Sequence, residues 1–434
     1  MGTTFRHYAP EQSILLPPSP GDWLPEGHLA YFISDTVDHL DLSAFYEPYE
    51  GDGRRNSPFD PRMMVKILLY GYATGTFSSR KLAKKLHEDV AFRFLSGENF
   101  PAHRTIADFR KQHLAAFQKL FVQVVRMARE VGLVTLGTVA IDGTKMKASA
   151  SKHKAMSYGR MQQEEQRLQA EIEELTTRAS QVDAEEDAIH GAENSGDEIP
   201  EELQRREQRL KKIREAMERL KSRQEEEDQE AGRSPEVKSR CKRPFGEPAE
   251  KKQDNFTDPE SRIMKTSSGY EQCYNGQIAV DAESRLIVAA EVTQSAADAE
   301  QLLSMVEKIL EVTQGAPGEV LADAGYRSEA NLQGLEDKKI DGYISLGREG
   351  KSGSVVTSPE TPATSRMQEK LATEKGRKTY SRRKELVEPV NGWIKSVLGF
   401  RQFSFRGLVK VAGEWTLVCL ALNLKQMNPR MQWN

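Results

Sequence analysis

The stretch LGTVAIDGTKMKA, residues 136–148, decides the fold, because a helical sequence pattern ends there and a strand pattern begins. Val139 and Ile141 fall on one face of this stretch, whereas Ala140 and Asp142 fall on the other. Alternation with period two is typical of a β-strand. The sequence therefore predicts a strand with a carboxylate, Asp142, at its end.

A second aspartate, Asp323, ends the apolar stretch GEVLADAG in the same way. Residues 270–346 alternate in the order strand, strand, helix, strand, helix, strand, with the first two strands joined as a hairpin. In an open α/β sheet the ligand site lies beyond the strand ends, so both carboxylates are expected there. A lone aspartate at a strand end is more often a turn or capping residue, but two in matching settings favour a site.

The third acid of interest is Glu388, in the basic segment YSRRKELVEPVNGWIK of residues 380–395. Pro389 follows it directly, and a proline inside a helix removes a backbone hydrogen bond. We expect the helix to kink or restart at Pro389. A restart would place Glu388 at a helix N-terminus, where the helix dipole favours an ionised carboxylate.

Acids that converge in this way repel one another, and a divalent cation relieves the repulsion. Mg²⁺ prefers oxygen ligands, and two such ions would serve phosphodiester chemistry. The sequence has no dense cluster of cysteine and histidine, which argues against zinc.

Residues 22–132 have the apolar spacing of amphipathic helices. Two short basic helices in this region resemble a helix-turn-helix arrangement and carry the candidate DNA contacts Arg80, Lys81, Arg104 and Arg110. Helices that merely pack together would show the same pattern, so this alternative stays open.

The net charge of −3 hides a strong separation of charge along the chain. Residues 161–232 contain 22 acidic and 11 basic side chains, whereas residues 376–410 contain nine basic and two acidic ones. Residues 80–113 are also basic. Basic patches of this kind fit a polyanion such as DNA, although each alone also fits a solvated surface.

Three segments interrupt the globular pattern. Residues 158–232 have apolar residues at three-, four- and seven-residue spacings amid dense charge, which predicts an inserted helical hairpin or coiled coil. Residues 233–255 are rich in proline, glycine and charge and predict a flexible basic linker. Residues 347–378 have a loop-like composition.

Cysteine content and hydropathy limit the cellular compartments in which the protein is expected. The three cysteines are far apart in sequence and form neither a disulfide framework nor a zinc motif, which predicts a reducing, cytoplasmic setting. No apolar run approaches the length of a membrane helix, and the N-terminus lacks a signal-peptide pattern.

Four motifs, AIDGTK, YNGQIAVD, LADAGY and RRKELVEPVNGWIK, resemble in their order and spacing those of the DDE transposases of bacterial insertion sequences. The resemblance is to the four/five superfamily and within it most closely to the eleven-eighty-two group. Residues 57–110 are similar to the helical N-terminal region of that group.

The resemblance implies an α/β ribonuclease H-like catalytic core, with a mixed sheet flanked by helices, an all-α N-terminal domain and the inserted hairpin. Asp142, Asp323 and Glu388 are then the catalytic acids, and they hold two Mg²⁺ ions, for which Mn²⁺ can substitute. Further DNA contacts are implied in two basic groups: Lys145, Lys147, Arg382, Arg383, Lys384 and Lys395.

The implied domains are a DNA-binding and dimerisation domain over 1–135 and a catalytic domain over 136–157 and 256–434. The implied partners are the terminal inverted repeats and target DNA, bound by a homodimer in the bacterial cytoplasm at the nucleoid. No membrane partner is expected.

The C-terminal motif departs from the superfamily signature Tyr-x2-Arg-x3-Glu-x6-Lys. Counted from Glu388, the arginine position holds Lys384, and Arg383 stands one residue nearer the N-terminus together with Tyr380. Asn391 occupies a position where an aromatic residue is common. Two alternatives remain open: an inactive or repurposed DNA-binding scaffold, and a stand-alone metal-dependent nuclease.

Overall fold

The computed structural model describes residues 19–50, 57–190, 201–234, 243–347 and 361–431 of the chain. The N-terminal region is helical, as predicted, and its helices are α1 (Leu29–His39), α2 (Ser43–Tyr46), α3 (Pro61–Ala73), α4 (Ser79–Glu88), α5 (Val90–Ser96), α6 (His103–Gln112) and α7 (Leu114–Glu130). Helix α3 shows why the chain folds locally in this way. Asp60 caps its first turn by accepting from the backbone N–H of Arg62 at 2.8 Å, and a proline opens the helix.

The rest of the chain alternates strands and helices. In order these are β1 (Thr138–Lys147), β2 (Ala155–Ser157), α8 (Tyr158–His190), α9 (Glu201–Glu230), β3 (Gln253–Asn255), β4 (Arg262–Thr266), β5 (Gly269–Asp281), β6 (Ile287–Thr293), α10 (Leu302–Thr313), β7 (Glu319–Ala322), α11 (Glu329–Asp337), β8 (Asp341–Ile344), α12 (Pro362–Ala372), α13 (Glu374–Gly392) and α14 (Leu408–Met427). The strand–hairpin–helix–strand–helix–strand order expected for residues 270–346 is confirmed.

The main sheet is mixed and has the strand order β4-β5-β1-β7-β8, with β6 also paired to β5. Strand β1 runs antiparallel to β5 and parallel to β7, and β7 runs parallel to β8. The first predicted strand thus lies in the middle of the sheet, and it continues past Asp142 to Lys147, so Asp142 is not at its end as expected. Asp142 instead lies level with the carboxyl end of β7, because the parallel pairing of the two strands ends at Ala140 and Leu321.

Helix α14 joins the N-terminal helices to this sheet. It packs against α3 and α7 on one side and β6 on the other, and Trp415 within it is fully buried and donates its indole N–H to the carbonyl of Gln277 at 3.1 Å. Asn423 bonds both the N–H and the carbonyl of Ile287 at 2.8 Å. One continuous hydrophobic core therefore spans both parts of the molecule.

A buried polar network crosses the same boundary and corrects the expectation for Arg110. This side chain is only 6% exposed and donates to the hydroxyl of Tyr72 at 2.9 Å and to the carbonyl of Phe77 at 2.7 Å. Tyr72 in turn donates to the fully buried Glu414 at 3.5 Å. Arg110 therefore holds the domains together and is not placed to contact DNA.

Helices α8 and α9 pack against each other between β2 and β3. They share a small apolar cluster of Tyr158, Met161, Leu168, Leu210, Ile213, Ala216, Met217 and Leu220. Ion pairs join Arg206 to Glu171 at 2.8 Å and Arg209 to Glu164 at 2.9 Å, so residue numbers rise along one helix as they fall along the other. The connection over 191–200 lies outside the described residues.

The structure differs from three local expectations. Helix α13 runs through Pro389 without a restart and passes directly into a π-helical turn, Trp393–Val397, so Glu388 is not at a helix N-terminus. Residues 361–378, expected to be loop, form α12 and the start of α13. The end of the expected flexible linker forms β3, because Asp254 is buried against Arg219 and Arg223 of α9 at 2.7 and 2.9 Å.

None of the helices in the described ranges has the length and apolar character that a membrane span needs.

Candidate active site

The sheet register brings Asp142 and Asp323 side by side. Ala140 of β1 pairs with Leu321 of β7 in parallel register, and each aspartate stands two residues further along its own strand. Neighbouring strands lie about 4.8 Å apart, and residues two apart point to the same face of the sheet. Two carboxylates with a sequence separation of 181 residues thus share one edge of the sheet.

Glycines next to both aspartates keep this edge open. A Cβ atom on Gly143 would lie 2.5 Å from the side-chain amide of Gln277 and 2.6 Å from the carboxylate of Asp298. A Cβ atom on Gly325 would lie 2.9 Å from the Oδ1 atom of Asp323. Close approach of polar side chains therefore explains the glycine in each motif.

Helix α13 supplies partners to both carboxylate oxygens of Asp142. The guanidinium of Arg383 lies 3.7 Å from Oδ1, and the amide of Asn391 donates to Oδ2 at 2.8 Å. Arg383 also hydrogen-bonds Tyr380, and its side chain is only 9% exposed. The residue of the C-terminal motif that reaches Asp142 is therefore Arg383, and its contact with DNA stays a prediction.

Asp142 has an unusual acidity for an aspartate. Burial is the largest influence on it and, together with the negative charges of Asp323 and Asp298, raises its pKa to about 6, although Arg383 opposes the shift. The ionised carboxylate of Asp142 is therefore destabilised by its surroundings, and a nearby cation would stabilise it. Raised carboxyl pKa values of this kind are a mark of functional sites.

Asp298 is a site residue that the sequence analysis missed. Its Oδ1 atom accepts from Asn275 at 2.6 Å, from Gln277 at 2.8 Å and from the ammonium of Lys145 at 3.3 Å. Asn275 and Gln277 are fully buried in β5. Because Asp298 lies in the loop before α10 and ends no strand, no strand-end pattern points to it.

The buried hydroxyl of Tyr326 belongs to the same hydrogen-bond network as Asp298, because both contact Gln277. Its hydroxyl donates to the side-chain carbonyl of Gln277, and the charges of Asp298, Asp142 and Asp323 all act on it. Burial and these charges raise the pKa of Tyr326, so it stays protonated and acts as a donor.

Glu388 lies on α13, one turn before Asn391, and its side chain is exposed. Residues three apart on a helix are neighbours on its surface, so Glu388 faces the same side of the helix as Asn391. Within the described ranges, no three histidine, cysteine, aspartate or glutamate side chains stand close enough together to hold a metal ion. Glu388 thus lies on the same side of α13 as Asn391, but among the described residues it does not form a three-acid metal site with Asp142 and Asp323.

The donor chemistry at Asp142 fits a hard divalent cation. Besides the guanidinium of Arg383 and the amide nitrogen of Asn391, the site offers oxygens of carboxylates and an amide, which are the ligands that Mg²⁺ prefers. The Oδ1 atom of Asn391 is buried and has no hydrogen-bond partner, although its amide nitrogen bonds Asp142. A buried oxygen without a partner costs free energy, and a cation or a donor beside Asp142 would satisfy it.

A cationic cleft adjoins the acids. This cleft, of about 880 Å³, is lined by Lys145, Lys147, Lys265, Lys395 and Arg401 and begins at Gly143. Lys395 donates to the carbonyl of Lys145 at 3.3 Å, and burial lowers its pKa. Lys147 pairs with Glu271 at 3.3 Å. The structure thus brings together the predicted Lys145, Lys147 and Lys395. It adds Lys265 and Arg401, which the sequence did not indicate.

The other predicted DNA contacts lie elsewhere. Arg80 and Lys81 on α4 and Arg104 on α6 are exposed, and these two helices pack against each other. Arg382 and Lys384 on α13 are also exposed. Exposure leaves the DNA-binding assignment of these five side chains a prediction.

Two family models match the chain. A transposase DDE domain matches residues 248–424, and a transposase domain (DUF772) matches residues 18–112. The first match covers Asp323 and Glu388 but not Asp142, which lies on β1 ahead of α8 and α9. No curated protein and no solved structure matches the chain.

The matched regions correspond to the two parts of the fold, the helical N-terminal region and the mixed sheet with its flanking helices. The family acts on DNA with the help of divalent metal ions, which agrees with the paired aspartates and the cationic cleft. The chain is a DDE transposase of the insertion-sequence type, an enzyme that cuts and transfers DNA strands.

Proposed function

We propose that this transposase binds the terminal inverted repeats of its element and cuts and joins their strands with Asp142, Asp323 and Glu388 as catalytic acids. The observation that carries the proposal is the adjacent position of Asp142 and Asp323, each two residues beyond the parallel pair Ala140 and Leu321 of β1 and β7. The cationic cleft that begins at Gly143 supports it, because a DNA backbone needs positive charge beside the cutting site.

Asp142 and Asp323 would hold two Mg²⁺ ions, with Glu388 completing the ligand set from α13. When bound, such ions activate a water or a 3′-hydroxyl and stabilise the leaving oxygen of a phosphodiester. Hydrolysis consumes one water and breaks one P–O bond, leaving a 3′-hydroxyl and a 5′-phosphate. Strand transfer then exchanges one P–O bond for another and needs no further energy source.

The side chains around Asp142 position it for this role. Arg383 and Asn391 hold its two oxygens from α13. Asn275 and Gln277 hold Asp298, which in turn accepts from Lys145 beside the cleft. Lys145, Lys147 and Lys395 would grip the phosphates next to the cut strand. Mn²⁺ should replace Mg²⁺, since both accept oxygen ligands.

The remaining parts of the chain would organise the DNA. We assign DNA binding and dimerisation to residues 1–135, where Arg80, Lys81 and Arg104 are exposed, and catalysis to 136–157 and 256–434. Residues 158–232 form the inserted hairpin, and 233–255 connect it to the catalytic domain. A homodimer that cuts both ends together at the bacterial nucleoid fits this division.

A strand-cleavage assay tests the proposal. The full chain is incubated with Mg²⁺ and a DNA fragment that carries the inverted repeats flanking its gene, and the products are separated on a denaturing gel. We expect nicked and joined strands from the wild type and none from Asp142→Asn. Unchanged product from Asp142→Asn would overturn the site, and nicked strands without joined strands would favour a nuclease.

A further inference from the structure

The inserted helices carry a basic groove that the proposed function does not use. This basal groove lies where α8 and α9 meet the loop after β1 and has a volume of about 560 Å³. It is lined by His153 and by the cations Lys154, Arg160, Arg205, Arg209 and Lys212. Among the described residues that line it there is no carboxylate. Its charge is opposite to that of the insertion as a whole, in which acids outnumber bases two to one.

The cations of the basal groove are only partly neutralised. Arg205 pairs with Glu201, and Arg209 pairs with Glu164 at 2.9 Å, but Glu164 also pairs with Arg167 at 2.8 Å. Within the described ranges, no carboxylate lies within 4 Å of the exposed side chains of Lys154, Arg160 and Lys212. The groove therefore keeps a clear positive excess.

The basal groove is also a firm surface. Apolar contacts of Met156, Ile213 and Phe256 lie beneath it, and the N–H of Phe256 donates to the carbonyl of Lys154 at 3.1 Å. Helix α9 is fixed to β3, because Arg219 and Arg223 hold the buried Asp254. Cations held on a firm surface lose little conformational entropy when they bind.

A path of basic side chains connects the acids to the basal groove. Strand β1 runs from Asp142 past Lys145 to Lys147, a distance of roughly 17 Å at the usual rise per residue. The loop after it carries Lys152, whose ammonium donates to the carbonyl of Tyr270 at 3.3 Å, and then His153 and Lys154 of the groove. Basic residues thus follow β1 and the loop after it from the cationic cleft to the basal groove.

We infer that the basal groove binds the phosphate backbone of the DNA duplex that flanks the cutting site. This inference deepens the proposed function and rests on it for the nature of the ligand. Regularly spaced phosphates suit a row of exposed lysine and arginine side chains, and such contacts carry affinity without reading sequence. The insertion is then a DNA-holding arm, with its acidic residues serving to pair the cations of the two helices.

Charge reversal tests the inference in the full chain. The triple variant Lys154→Glu, Arg160→Glu and Lys212→Glu is compared with the wild type. The single variant Lys212→Glu is compared with Lys211→Glu, the same charge change on the adjacent residue of α9, which does not line the groove. Binding is measured by fluorescence anisotropy with a random-sequence duplex of about 40 bp, in EDTA, across about 50–200 mM KCl.

We expect the triple variant to bind about 10- to 100-fold more weakly, and the slope of log affinity against log salt to fall in magnitude by about 2 to 3. Lys211→Glu should change affinity far less. The same three positions changed to glutamine, with circular dichroism to confirm folding, separate lost contacts from lost structure and should show the same trend.

Unchanged affinity and salt slope in the folded triple variant would overturn the inference. A triple variant with altered mass in light scattering but unaltered DNA binding would also overturn it, by showing that the groove meets a second copy of the chain. If the wild type itself fails to bind the duplex, the proposed function fails as well. The two failures are therefore distinguishable, because the assay contains no metal and needs no cleavage.

Discussion

The sheet edge and the inserted helices use charge in opposite ways. At the sheet edge, Asp142 is mostly buried, and the like charges of Asp323 and Asp298 and burial raise its pKa to about 6. In the insertion, partly exposed acids and bases pair across the helices, as Arg206 does with Glu171 at 2.8 Å. The difference teaches that paired surface charge supports a helix pair, whereas converging buried acids store a cost that a cation can remove.

Glu388 should show the largest effect, because its role depends on chemistry and not on folding. We expect Glu388→Gln to reduce strand cleavage about 10²–10³-fold, as removal of one catalytic charge-stabilising group commonly does. Its matched control is Glu385→Gln, an exposed acid on the same helix. Equal activity of the two variants would remove Glu388 from the site.

Asp298 should show the next largest effect. Asp298→Ala removes the acceptor shared by Lys145, Asn275 and Gln277, and we expect a loss of about 10- to 100-fold in metal affinity and cleavage. Asp298→Asn keeps one oxygen acceptor and should retain more activity than the alanine variant.

The control for Asp298→Ala is Asp281→Asn, at the C-terminal end of β5. Asp281 is fully buried and accepts from the N–H of Leu136 at 3.0 Å, so its loss should lower stability without changing cleavage per folded molecule. An Asp298→Ala variant that lost stability but kept full metal affinity would contradict the positioning role.

Asp142→Asn should stabilise the metal-free protein near neutral pH. Because the pKa is about 6 in the folded state and near 3.8 otherwise, the folded state binds the extra proton in this window. Wild-type stability is therefore full below about pH 4 and falls as pH rises to about 6. Above that, we expect the variant to be more stable by about 1–3 kcal/mol in denaturant unfolding.

The same comparison has an internal check. Mg²⁺ should reduce the difference in unfolding free energy between the wild type and Asp142→Asn. The ion binds and stabilises only the folded protein that keeps the Asp142 carboxylate. A variant less stable than the wild type at neutral pH without metal would show that Asp142 is a structural acid.

Breaking a pair in the insertion should have the smallest effect. Glu171→Gln removes the partner of Arg206, and the melting temperature should fall slightly at low salt. The difference should vanish near 1 M NaCl, where the Debye length is about 3 Å. Cleavage should not change. A large, salt-independent loss would mean that this region stabilises the catalytic sheet.

Much of the fold followed from sequence periodicity, and the exceptions have physical causes. Strands β1 and β7 were predicted because apolar alternation and strand-end aspartates are local signals. The continuity of α13 through Pro389 was not, because packing of that helix against β1 outweighs the hydrogen bond that proline removes. The helical structure of residues 361–378, where a loop was predicted, likewise depends on contacts of α12 with α11 and β8.

Site residues divide in the same way. Asp142 and Asp323 carry a pattern that sequence can show, whereas Asp298 reaches the site only through the fold, from a loop. The burial of Arg110 and Arg383 was also hidden, because a basic residue in a helix has the same sequence pattern whether it faces solvent, a hydroxyl or a carboxylate. Tertiary contacts decide these assignments.

The central claim is that Asp142 and Asp323 together hold a divalent cation. Titration of the full chain with Mn²⁺, followed by electron paramagnetic resonance of the free ion, tests it most directly. The account predicts that the wild type and Asp281→Asn bind Mn²⁺ alike and that Asp142→Asn and Asp323→Asn each lose that binding. Binding by both aspartate variants with wild-type affinity would contradict the account.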